Sequence, residues 1–265
     1  MEKTILEILQ KQNPEIDWQN DYLDEIDLWT AGIDDLTNES IKEKVEHYFK
    51  KILPKQWRVF NTITEYQKKE KSFELKKYDV GIFLVGFSEV PIILSLLILQ
   101  PKEIYFIYSP ESKSTLPWIL KGVVQIDDKL GKMVESAIIS MLYSREIKTA
   151  SDPILTFEQI EDIIKTHNSG QIAVDITGGK KTMIGGAFLS ASISEQCDFF
   201  YVDFLEYNEQ SRRPKHGTEF LNKLLNPKFA NEFIKKVTDE GVSREDAIQT
   251  MIETFKQSEK KESLL

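Results

Sequence analysis

Four short runs constrain this chain more than any other feature. Val80–Val85 (VGIFLV), Glu103–Tyr108 (EIYFIY), Gln171–Ile176 (QIAVDI) and Asp198–Phe204 (DFFYVDF) are almost wholly apolar and rich in β-branched and aromatic residues. A strand that is apolar on both faces must be covered on both, which a parallel sheet between helices provides. Helical patterning fills the gaps, at Pro91–Leu99, Asp127–Tyr143, Thr156–Thr166 and Thr182–Ser194. Thr156, with Gln159 three residues on, reads as the cap of its helix. Ile147–Ala150 reads as one more short strand. Strands alternating with helices predict an α/β fold, an open, doubly wound, mainly parallel sheet with helices on both faces.

The sheet-forming part spans residues 78–205. Residues 1–77 read as a mainly helical N-terminal region, and residues 206–265 as a helical C-terminal extension. In the first, Thr4–Lys11 and Asn38–Leu53 are amphipathic, Thr37 or Asn38 can cap the second helix, and Pro54 is expected to end it. A polar stretch through Glu70–Lys77 reads as a surface connection. In the last, Phe229–Val237 and Ser243–Phe255 carry helical spacing.

Net charge is −9, and its source is local. Residues 14–40 hold nine acids (Glu15, Asp17, Asp21, Asp24, Glu25, Asp27, Asp34, Asp35 and Glu39) and no Lys or Arg. Such a segment repels duplex DNA, and no long basic stripe competes with it. The longest apolar run, Val90–Leu99, is half of what a membrane span needs. The N-terminus opens on charged residues, so neither a membrane span nor a signal peptide is expected, and the protein reads as cytoplasmic. One cysteine, Cys197, excludes a disulfide framework and reads as a buried, reduced thiol. Three scattered histidines give no metal site.

Two strand-to-helix loops carry the chemistry. Gly86-Phe87-Ser88-Glu89-Val90-Pro91 leaves the first strand and enters a helix with proline in its first turn. Asp175-Ile176-Thr177-Gly178-Gly179-Lys180-Lys181-Thr182-Met183 leaves a later one. In the second loop, free N–H groups, the positive end of a helix and lysine charge converge, as a phosphodiester requires. Gly185 and Gly186, inside the next helix, read as permitting close packing against the sheet. Neither loop is a standard nucleotide motif: there is no G-x-G-x-x-G, and the P-loop positions are occupied by Val174 and Lys181.

The pair VGFSEVP (85–91) and DITGGKKTM (175–183) resembles the CARF (CRISPR-associated Rossmann fold) domain, the sensor of cyclic oligoadenylates in type III CRISPR antiviral defence. The second stretch is similar to the family pattern D-x-T-G-G-T-K-x-M and departs from it at Lys180, where the family usually has Thr. The likeness covers about residues 78–205, and is weaker from Arg212 to Glu219. It implies a Rossmann-like sheet and a homodimer holding one cyclic tetra- or hexa-adenylate across its two-fold axis, with no other cofactor. A two-fold symmetric ring suits two copies of one site. The resemblance implies ligand contacts at Gly86, Phe87, Ser88, Ser109, Ser112, Thr177, Gly178, Gly179, Lys180, Lys181, Thr182 and Met183.

No output motif stands out. Arg212 and His216 have the wrong spacing for a HEPN ribonuclease, and no PD-(D/E)xK set is convincing. Three readings follow. The chain is a nucleotide-binding sensor that relays to a separate effector protein. Alternatively it is a metal-independent ring nuclease, with Ser88 and Lys181 as its catalytic residues. Or it is an unrelated α/β protein that binds nucleotide phosphates. Because like charges repel, Glu15 to Glu39 are expected to lie away from both loops, as a partner-facing module.

Overall fold

The computed structural model describes residues 4–31, 38–71, 73–140, 144–167, 170–194, 196–207 and 213–224, together with residues 235, 240–243, 246 and 250. Six strands form one sheet: β1 (Val80–Val85), β2 (Glu103–Tyr108), β3 (Ser144–Glu146), β4 (Ile172–Asp175), β5 (Cys197–Phe204) and β6 (Glu219–Leu224). Their order is β3-β2-β1-β4-β5-β6, with the first five parallel and β6 antiparallel to β5. The chain reverses its direction of winding between β1 and β4, the switch point at which open α/β sheets bind ligands.

Alternate residues of each strand feed two cores. Val80, Ile82, Leu84, Ile107, Val174 and Phe199 face α8 (Pro153–Thr166) and α9 (Lys181–Ile193). Phe83, Val85, Phe106, Phe200 and Val202 face the other way. That second core holds α5 (Val90–Leu99), α6 (Leu116–Ile126) and α7 (Asp128–Ile139), and also the N-terminal helices. These are α1 (Ile5–Gln12), α2 (Asp24–Ala31), α3 (Asn38–His47) and α4 (Leu53–Glu70). Phe49, Phe60 and Ile63 pack in the same cluster as Phe83 and Phe200, so helices and sheet bury one continuous face.

Several local expectations change. Pro54 does not end a helix. A π-helical segment, Tyr48–Ile52, leads directly into α4, and Pro54 lies in the first turn of α4, where no intrahelical partner for its missing N–H is needed. Asp152, not Thr156, caps α8; its carboxylate accepts from the Ile154 N–H at 2.9 Å, and Thr156 is buried a turn later. The extra strand is β3, which ends where Ile147–Ala150 begins; the Ile147 N–H continues the pairing to the Tyr108 carbonyl at 2.8 Å. The described part of the C-terminal extension opens with strand β6, which was not expected, while Lys235, Asp246 and Thr250, inside the two expected helices, are helical and the Ser243 hydroxyl accepts the Asp246 N–H at 3.1 Å. The burial of β6 forms a block, Glu219, Phe220 and Leu221 buried before the half-buried Asn222 and Lys223, so the sequence carries no strand alternation there. The helices expected at Phe229–Val237 and Ser243–Phe255, the cap at Thr37 and residue Arg212 lie outside the described residues or largely so. Cys197 is buried at the start of β5, and burial pushes its thiol up to about 11. No helix among the described residues is long and apolar enough to cross a membrane.

Candidate functional site

The two loops singled out above meet at the switch point, backbone against backbone. A Cβ on Gly86 would lie 1.9 Å from the Gly178 carbonyl oxygen. A Cβ on Gly178 would lie 2.4 Å from the Leu84 carbonyl oxygen and 3.1 Å from the Gly86 nitrogen. Only glycine at both positions lets the loops close to this distance. Thr115, at the start of α6, donates its hydroxyl to the Gly86 carbonyl at 2.8 Å and fixes the loop from a third side.

Asp175 anchors the second loop from beneath. It is fully buried at the end of β4 and accepts the Thr177 N–H at 2.7 Å. Burial pushes its carboxyl above the usual range against the pull of Thr177, and its Oδ2 has no hydrogen-bond partner among the described residues. The Thr177 hydroxyl in turn accepts the Val202 N–H of β5 at 2.8 Å. The Thr182 hydroxyl donates to the Ala150 carbonyl, and Met183 is buried in the core. Lys180 and Lys181 are exposed where α9 begins. There the first N–H groups of the helix lack intrahelical acceptors and its dipole is positive.

The expected ligand residues therefore divide by geometry. Phe87, Ser88, Lys180 and Lys181 present their side chains to solvent, and Gly86, Gly178 and Gly179 supply close backbone. Thr177 and Thr182 commit their hydroxyls to the frame. Ser109 and Ser112, after β2, are buried in one tight turn. The Ser112 hydroxyl accepts the Ser109 N–H at 3.1 Å, and the Ser112 N–H donates to the Ser109 carbonyl at 3.0 Å. Sequence reasoning missed Thr115 and Glu111. The Ser109 hydroxyl bonds the Glu111 carboxylate and holds it below the usual range, and the charge of Lys180 acts on it in the same direction. Lys180 thus lies near enough to Glu111 for its charge to act on that carboxylate. Nothing in the sequence linked positions 111 and 180, because their approach comes from strand order. Gly186 serves close packing, but against α8, where a Cβ would lie 2.1 Å from the Pro153 carbonyl oxygen rather than against the sheet; Gly185 faces open space.

The acidic segment does not stay clear of the loops. Its helix α2 turns Ile26 and Trp29 inward, and these line a cavity that Phe87 and Glu89 also line. The acids are placed on the other side, where cations take them up: Glu25 pairs with Lys55, and Asp27 with Lys215 at 3.7 Å. Burial of the apolar face decides where the helix lies, and the charges follow.

Behind the cavity, Glu219 is a buried carboxylate with three donors. It accepts from Gln56 Nε2 at 2.7 Å, the Gly217 N–H at 2.7 Å and His216 Nδ1 at 3.1 Å. The Glu219 bond raises the His216 pKa, and burial opposes it. A raised folded-state pKa gives stability that is complete below the unfolded value, roughly 6.5, and is lost as pH rises through the folded value. Thermal midpoints should therefore fall as pH rises above about 6.5 in the native protein and fall less in His216→Gln. The partly open ring keeps the effect small through solvent screening. Equal slopes in melts of the two proteins would remove His216 from the account.

No protein-family model matches the chain. A curated relative from Thermus thermophilus, the "CRISPR system endoribonuclease Csm6", is 27% identical over 154 residues, which is 57% of this chain and 30% of the relative. The chain thus spans less than a third of that relative's length. The solved structure "Enterococcus italicus Csm6 bound to cyclic hexa-2'-fluoro-hexa-dAMP" aligns at a TM-score of 0.40 and 12% identity, over 69% of this chain and 49% of that one, a likeness too loose to carry an argument. The likeness to the Thermus protein and the DITGGKKTM turn at the β1/β4 switch point both agree with the resemblance to CARF-domain proteins of type III CRISPR systems.

Proposed function

We propose that this chain binds a cyclic oligoadenylate, tetra- or hexa-adenylate, across a homodimer and relays its presence to a separate effector protein. One observation carries the reading: Gly86 and Gly178 bring two helix-entry loops into contact at the switch point, with Lys181 exposed on the first turn of α9. Backbone N–H groups, a helix N-terminus and an ammonium group at one place suit a phosphodiester. The Thermus relative is named as a CRISPR endoribonuclease, which agrees with a role beside this second messenger. Ser88 stands exposed on the facing loop, within the same edge of the sheet.

Titration of cyclic tetra- and hexa-adenylate into the protein, at fixed salt, tests the reading. One ring per two chains is expected. Lys181→Ala should weaken binding about 10- to 100-fold, the worth of a charge-assisted contact of about 1.5–3 kcal/mol. Lys180→Ala should matter less, because the CARF pattern that the loop resembles usually has an uncharged Thr at that position. Ring recovered intact after incubation fits a sensor, and ring opened to linear product fits the nuclease. Absence of binding by the native protein to either ring overturns the proposal.

A further inference from the structure

The cavity beside the Gly86 loop has a volume of about 390 Å³, within the range of small-molecule sites. Trp29, Tyr48, Phe49, Phe87 and Trp118 wall it with aromatic rings. Phe87 and Trp118 are 67% and 42% exposed, so ring surface is open to a ligand. Two of these rings already hold a cation. The Lys121 Nζ, itself outside the cavity wall, lies 5.1 Å from the Phe49 centroid and 5.5 Å from that of Trp118, and Glu46 takes up its charge. Ring faces are electron-rich and attract positive charge, more strongly where water is excluded.

The ionisable groups of the lining are Tyr48, Glu89 and His216, and two of them are committed. The Tyr48 hydroxyl donates to Gln56 Oε1 at 2.8 Å. His216 Nδ1 meets the buried Glu219 carboxylate at 3.1 Å, so the two charges cancel when His216 is protonated. Glu89 is the third. It stands at the N-cap position of α5 yet makes no capping bond, and among the described residues no other hydrogen bond or ion pair reaches its carboxylate. Its field does reach the aromatic wall: burial, Glu219 and Glu89, in that order, push the Tyr48 phenol upward. A half-buried carboxylate without a counter-ion, set among aromatic rings, is one half of an ion pair. The other half must bring positive charge and apolar surface together. An anion would be repelled by Glu89 and Glu219, and a neutral apolar molecule would desolvate Glu89 without compensating it.

We propose that this cavity binds a small organic cation, an alkylated ammonium whose methyl groups pack on Trp118 and Phe87 and whose charge lies against the Glu89 carboxylate. Such an ion carries its charge beneath methyl groups and gives up no hydrogen bonds on entering, whereas a primary ammonium must re-place three donors in a slot whose other acceptors are already engaged. The inference stands apart from the oligoadenylate reading, because its ligand has the opposite charge and its contacts involve neither Lys180 nor Lys181.

The test titrates choline into the full chain, beside its uncharged isostere in which a tert-butyl group replaces the trimethylammonium, and reads tryptophan fluorescence and heat. Choline should bind about 10-fold more tightly than the alcohol, since the two share a shape and differ in charge. Glu89→Gln keeps the shape of the wall and removes its charge; it should lose about 10-fold for choline and leave the alcohol unchanged. Trp118→Ala should lose about 5-fold, as expected when one ring face is removed from a cation. Phe87→Ala, at an exposed side chain, should lose affinity in the same direction and guards against a folding defect in the tryptophan variant. Lys181→Ala should bind choline as the native protein does, which keeps a failure of ring binding separate from a failure here. The proposal is overturned if the native protein binds no choline, if choline and the alcohol bind equally, or if Glu89→Gln binds choline as the native protein does. A trimethyllysine peptide that binds where free choline does not would put a protein partner in the cavity and overturn the small-ligand assignment. Melting curves matched to the native protein accompany each titration.

Discussion

Gly86→Ala is expected to cost about 3 kcal/mol or more of stability and to abolish ring affinity. The added methyl would lie 1.9 Å from the Gly178 carbonyl oxygen, far inside van der Waals contact. The atom it meets is backbone, held by a loop that Asp175 and Thr177 already fix at 2.7 Å and 2.8 Å, so no rotamer change relieves it. Forced overpacking typically costs 1–3 kcal/mol where side chains can adjust, and more where they cannot. For a chain of this size that is a fall of roughly 6–12 °C in thermal midpoint. Gly185→Ala is the internal control. That position faces open space in the interior of α9, so alanine there should add about 0.5–1 kcal/mol through helix propensity. Melting curves and a ring titration on both variants check the pair. Native-like melting of Gly86→Ala would mean that the loops do not meet as described.

Removing residues 1–77 is expected to leave no cooperatively folded protein, in contrast to the dispensable module that charge asymmetry suggested. Helix α4 packs along β6 and against α5 and α6. It also supplies polar partners that nothing else replaces. The Thr64 hydroxyl accepts the Leu221 N–H at 2.9 Å, and Gln56 bonds Glu219 at 2.7 Å, all in the interior. The truncated chain would expose Phe200, Val202 and Phe220, which share a core with Phe60 and Ile63. Unsatisfied buried groups cost about 1–3 kcal/mol each, and lost burial of large side chains about 1.5–3 kcal/mol each. Those losses together are as large as the roughly 5–15 kcal/mol by which domains are stable. Circular dichroism on the truncated chain checks this. A sharp unfolding transition, with α/β content retained, would show that the sheet stands without its N-terminal helices.

The sequence by itself determined the strands that carry their own signal. VGIFLV, EIYFIY, QIAVDI and DFFYVDF became β1, β2, β4 and β5 because a short run apolar at almost every position is best covered as a strand in a sheet with helices on both faces. The glycines and lysines of DITGGKKTM marked the second loop for the same kind of reason: backbone freedom and charge are properties of the residues themselves. What depends on distant neighbours was decided only by the tertiary structure. Strand β6 is defined by pairing with β5 in an antiparallel register, and its six residues show little alternation alone. Pro54 starts a helix because a π-helical turn delivers the chain to it. The inward face of α2 was hidden under nine acidic residues in residues 14–40, because net charge reports composition and not which side of a helix is buried. Likewise the contact of Gly86 with Gly178, the approach of Lys180 to Glu111, and the aromatic cavity joining Trp29 to Phe87 arise from strand order and helix packing, which bring together positions about 60 to 90 residues apart in a chain whose local patterns contain no record of the distance.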